Sequence, residues 1–98
     1  MGYGIYMPDK NTEIISLLTY VKPSKYRMNI LIALENEKFK IPSEIANEVG
    51  TITSHVSSHL SGLKERGLIK CINEDAKKGR LYHITEKGKS VLEHIKTK

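Results

Sequence analysis

The chain has little that could cross-link it, anchor it in a membrane or carry catalysis. One cysteine, Cys71, stands among 98 residues, so no intramolecular disulfide can form, and a reducing, cytoplasmic setting is expected. No apolar run approaches the roughly 20 residues of a membrane-spanning helix. The opening MGYGIYMPDK does not follow the basic-then-apolar order of a secretory signal. There is no internal repeat and no low-complexity tract. No glycine-rich phosphate loop appears, because Gly50, Gly62 and Gly67 read as helix punctuation. Serines and histidines are present, but no carboxylate is placed to orient them in a pocket, so an enzyme is not expected. Nor is a cofactor.

What is present is a lopsided charge. The net charge is +5. Residues 1–50 carry six basic and six acidic side chains, whereas residues 51–98 carry ten basic and five acidic. The whole excess therefore lies in the C-terminal half. A one-sided basic field is the footprint of a polyanionic partner, although a modest positive charge also serves simple solubility.

Apolar periodicity organises the chain. Residues 11–21, with Ile14, Ile15, Leu17, Leu18 and Val21, predict a short helix capped by Asn11 or Thr12 and broken by KPS at 22–24. Ser24 then caps a helix over 25–36 whose inner stripe is the Arg27 stem, Ile30, Leu31 and Leu34. A connector, EKFKIP, is expected to turn Phe39 and Ile41 inward. Ser43 opens a helix through Val49, with Gly50 just beyond its end. Thr53 is the expected cap of a helix over 54–66 that Gly67 terminates. Only about four residues separate these two helices, as in a helix-turn-helix. LIKCIN and RLYHIT alternate as strands around a charged turn near Ala76–Gly79. Thr85 caps a last helix with Val91, Leu92 and Ile95 inward.

The segment TSHVSSHLSGLKERGLI, residues 53–69, is unusual for a helix. It contains four serines and two histidines, and serine is an indifferent helix former because its hydroxyl competes for backbone hydrogen bonds. At about 100° per residue, Val56, Leu60 and Leu63 make the core stripe. The opposite side collects Ser54, Ser58, Ser61 and Glu65, flanked by Ser57 and Lys64 on one side and His55 and Gly62 on the other. Such a low profile lets a helix sink into a groove, and hydroxyls both donate to and accept from base edges and phosphates.

Four segments together, SKYRMNILIALEN, IPSEIANEVG, SHVSSHLSGLKERGLI and RLYHITEKGKSVLEHI, resemble winged helix-turn-helix transcription regulators. Val56-Ser57 through His59-Leu60, Leu63 and Gly67-Leu68 is similar to the recognition-helix pattern of the ArsR group. Asp75 through Arg80-Leu81, followed by Ile84-Thr85-Glu86-Lys87-Gly88, is similar to the wing and next helix of MarR-type regulators. The likeness covers residues 24–95. Two departures stand out. Thr51-Ile52 reverses the apolar-then-polar order usual after the glycine that ends the positioning helix. Ser58 stands where a basic residue is frequent.

The resemblance implies a mostly α fold with a small β-hairpin wing. It implies a homodimer that binds double-stranded DNA, with residues 1–22 serving dimerisation and residues 23–98 forming the DNA-binding domain. Helices 11–21 and 86–96 are expected at the dimer surface. The four tyrosines at 3, 6, 20 and 26 are expected in packing and dimer contact. Helix 54–66 would enter the major groove, with Ser54, His55, Ser57, Ser58 and Ser61 reading bases. Thr53, His59, Lys64, Arg66, Lys77, Lys78 and Arg80 would meet the backbone. The alternative is a winged-helix module that holds a protein partner in a transcription or replication assembly. An RNA target is disfavoured by the lack of an aromatic stacking platform. No metal site is expected: the segment SEIANEV lacks the thiolates of ArsR-type sensors, and His55 with His59 supplies only two ligands. Cys71 is either a small buried hydrophobe or a redox-sensitive thiol.

Overall fold

The structure is a computed structural model that describes residues 10–36 and 39–97. The elements follow in the expected order: α1 (Lys10–Val21), α2 (Lys25–Ala33), α3 (Pro42–Val49), α4 (Thr53–Glu65), β1 (Ile69–Cys71), β2 (Tyr82–Ile84) and α5 (Glu86–Lys96). Tyr3 and Tyr6, and with them most of the N-terminal extension, lie outside the described residues.

The apolar stripes close into one core. Ile30, Leu31 and Leu34 of the second helix and its end, Ile45 of α3, and Val56, Leu60 and Leu63 of α4 are all buried to 1% exposure or less. Leu68, Ile69 and Ile84 from the hairpin and Val91 and Leu92 from α5 complete it. Each such side chain contributes about 1.5–3 kcal/mol on burial. The hairpin is antiparallel, with Ile69 opposite Ile84 and Cys71 opposite Tyr82. Cys71 is buried at 9% exposure, as a small hydrophobe would be. Lys40, two residues before α3, adds a bridge to Tyr82 and so ties the lead into α3 to the start of β2. Phe39 is not turned inward as expected: it is half exposed, with its ring 4.7 Å from that of His83.

Helix ends depart from the expected caps. Ser24 and Thr85 do cap their helices, accepting from Arg27 N and Gly88 N. Helix α3 starts at Pro42, whose missing N–H suits a first turn, and its cap position is Ile41 rather than Ser43. Glu44 Oε1 reaches back 3.0 Å to Ile41 N. Helix α4 starts at Thr53 itself, with Ile52 at the cap. Isoleucine offers no side-chain acceptor there. Gly50 and Gly67 sit at φ 79° and 77°, where residues with a Cβ are strained, and they end α3 and α4 as expected.

Candidate nucleic-acid interface

Helix α4 presents three different sides once its stripe is buried. The outermost residues, Ser54, Ser58 and Glu65, are exposed. On one flank, Thr53, Ser57 and Ser61 line an open cleft of about 440 Å³ whose opposite wall is Lys77, Lys78, Gly79 and Arg80. Ile41, Pro42, Ser43 and Tyr82 form the rest of that wall. The serine side of the helix and the lysine-bearing tip of the hairpin therefore share one cleft.

On the other flank, side chains expected at the DNA are engaged by neighbours within the chain. His55 is half-buried, with Nδ1 2.9 Å from Thr51 Oγ1 and Nε2 3.3 Å from His59 Nε2. The Tyr26 ring packs edge-on against His55 and stacks near His59. Burial first, then the neighbouring His55 and Arg27, hold the His59 imidazole below its ordinary pKa, so the neutral ring is favoured. Arg66 is exposed, but its guanidinium rests on an aromatic ring. Its guanidinium lies 3.7 Å from the centre of the Tyr20 ring, and Arg27 lies 4.0 Å from the same centre. Arg27 Nη1 also donates to Tyr20 O at 3.0 Å. Tyr20 thus fastens α1 to the recognition helix, and its hydroxyl occupies the space where a side chain at Gly62 would stand. Angles around a helical wheel cannot reveal which flank a neighbouring helix covers; tyrosines at 20 and 26 were the available signal.

The hairpin loop is built by two side chains that sequence reasoning valued differently. Asn73 was not singled out. Its Oδ1 accepts from Leu81 N at 2.7 Å and its Nδ2 donates to Gly79 O at 3.2 Å, the kind of local bridging for which asparagine is favoured in turns. Arg80 was expected on the DNA backbone. Instead its Nε donates to Ala76 O at 2.8 Å and its Nη2 to Glu74 O at 2.9 Å, cross-bracing the loop from inside. Lys64 forms an ion pair with Glu74 at 3.1 Å, which ties the end of α4 to the hairpin. Lys77 and Lys78 are exposed and have no ion-pair partner among the described residues. No cluster of three or more His, Cys, Asp or Glu side chains suited to a metal occurs among the described residues.

A positioning helix, a tight turn, a groove-sized helix and a braced basic hairpin in this arrangement define a winged helix-turn-helix protein. Residues 24–70 match the family model described as bacterial regulatory protein, arsR family. The fold is thus that of a winged helix-turn-helix protein, and its part from Ser24 to Lys70 resembles the arsR family.

Solved structures agree on the fold. The transcriptional repressor CouR bound to a 23-mer DNA duplex superposes with a TM-score of 0.69 at 20% identity, over 87% of this chain and 61% of that one. The MepR–DNA complex of S. aureus gives 0.69 at 16% identity, over 89% of this chain and 73% of that one. The homodimeric winged helix-turn-helix DNA-binding domain of a possible ArsR-family regulator from Mycobacterium bovis gives 0.67 at 18% identity, over 93% and 85%. The chain spans about three-fifths of the length of CouR. No curated protein sequence is significantly similar to the chain. No helix among the described residues is long and apolar enough to cross a membrane.

Proposed function

We propose that this chain is a sequence-specific double-stranded DNA-binding transcription regulator that acts as a homodimer in the cytoplasm. The observation that carries this reading is the single cleft shared by the serine flank of α4 and the basic tip of the wing. A major groove about 12 Å wide admits a helix, and one with small hydroxyl side chains sits deeper in it. Ser54, Ser57, Ser58 and Ser61 then meet base edges, joined by Thr53 at the helix start. Lys77 and Lys78 reach the adjoining backbone, and Lys64 joins them by exchanging Glu74 for a phosphate. His55, His59 and Arg66 support α4 from behind, and Arg80 shapes the wing.

Residues 1–22 are assigned to dimerisation and residues 23–98 to DNA binding. Helix α1 leaves Ile15 61% exposed beside a shallow groove formed with Leu18, Thr19, Lys22 and Pro23. The apolar residues of α5 are mostly spent on the chain's own core, so α1 leads the contact and α5 borders it. A two-fold dimer would place two copies of α4 in successive major grooves, about 34–36 Å apart.

Selection from random duplexes at fixed salt tests this reading. The expected product is a two-fold site with half-sites about one helical turn apart, bound with a steep salt dependence. Weak binding with no enriched sequence would instead point to a protein-interaction module.

A further inference from the structure

We propose that Ile52 is a specificity-determining residue that reads the C5-methyl group of a thymine in each half-site. The inference rests on the DNA-binding reading above and deepens it. At 67% exposure, Ile52 is more open to solvent than any other large apolar side chain among the described residues. It also occupies the cap position of α4, where its backbone is extended and no side chain accepts a hydrogen bond from the first turn. Serine, threonine, asparagine or aspartate would supply that acceptor, and isoleucine is among the poorest choices. Folding thus gains neither burial nor a cap from this side chain, so its value lies in what it meets.

Its place says what that is. Ile52 directly precedes Thr53, which lines the cleft with Ser57 and Ser61, and its carbonyl accepts from Val56 N at 3.2 Å, which fixes it at the leading tip of the helix. Leading-tip residues of a recognition helix approach base edges most closely. The hydroxyls around it cannot settle pyrimidine identity well. A serine O–H donates to O4 of thymine, and the same oxygen accepts from N4 of cytosine. The thymine methyl is the one major-groove feature that an aliphatic side chain recognises and a hydroxyl does not.

The test begins with the sequence enriched by random-duplex selection. Each thymine is replaced singly by deoxyuridine, which removes only the methyl group, and binding is measured for the wild type and for Ile52→Ser. The serine variant supplies the missing cap, so its melting temperature should rise, and loss of discrimination cannot then be laid to unfolding. One thymine per half-site is expected to show about fourfold weaker wild-type binding on demethylation, the worth of one buried methyl group. Ile52→Ser should bind the thymine and uracil versions equally at that position, while Ile52→Val should keep most of the difference. The inference is overturned if no thymine shows a methyl effect in the wild type, or if Ile52→Ser keeps the same effect at the same position. Failure to enrich any sequence would overturn the DNA-binding reading itself, and this inference with it.

Discussion

Arg80 and Lys78 are near neighbours of like charge, and the structure gives them different tasks. Arg80 spends two guanidinium nitrogens on loop carbonyls, whereas Lys78 faces solvent. A lysine that neutralises one phosphate releases counterions, so Lys78→Ala should flatten the slope of log K against log salt by about one unit. Arg80→Lys should weaken binding nearly as much as Arg80→Ala, because an ammonium keeps the charge but not the planar fork. Equal affinity of Arg80→Lys and wild type would return Arg80 to the phosphate-contact role. His59 makes a second residue-scale test. Its pKa is lowered in the folded chain from 6.5, so the unfolded chain takes up the proton more readily. Stability is then complete above about pH 6.5 and falls as pH drops below it. Thermal melts between about pH 7.5 and about pH 5.5 should show this loss, and His59→Gln should reduce it.

At the scale of elements, the join between α1 and α4 is the contact that pattern reading missed. The Tyr20 hydroxyl fills the place of a Gly62 side chain, and Arg27 and Arg66 both lie over the Tyr20 ring. Gly62→Ala forces an overpacked contact there and should cost about 1–3 kcal/mol in chemical denaturation. Tyr20→Phe in the same chain should recover part of that loss by removing the colliding oxygen. The helices themselves were legible because apolar residues recur with the helical period: Val56, Leu60 and Leu63 are buried as their spacing required. Their starts were less legible. Ser43 was expected to open α3 and Thr53 to cap α4, but each helix starts one residue earlier, at Pro42 and Thr53, with an isoleucine at the cap. The cleft was legible in outline, from the serines and the lysines. Which residues leave it was not, since His55, His59 and Arg66 are drawn off by tyrosines distant in sequence. Arg80's bracing of the loop was not legible for a related reason: nothing in the sequence shows that the loop's carbonyls converge on it.

For the whole molecule, ion pairs reach across the chain. Lys87 meets Glu13 at 2.8 Å, joining the last helix to the first, and Lys96 meets Glu35. These pairs are at least partly exposed, so each contributes no more than about 1 kcal/mol. None of their four side chains lines the cleft, where Lys77 and Lys78 have no ion-pair partner among the described residues. The proposed two-fold partner is tested on the same scale. Ile15→Glu should convert dimer to monomer in sedimentation and weaken binding to a palindromic duplex far more than to a single half-site. An unchanged dimer would move the contact off α1.

Finally, the serine-bearing surface of α4, its outer side and its cleft flank together, contributes nothing to the core. Ser54, Ser57, Ser58 and Ser61 are all exposed, and exchanges at such positions usually change stability by less than about 0.5 kcal/mol. Folding is therefore nearly indifferent to what is written on that strip. Target preference can drift, or be rewritten by design, while the scaffold behind it stays unaltered.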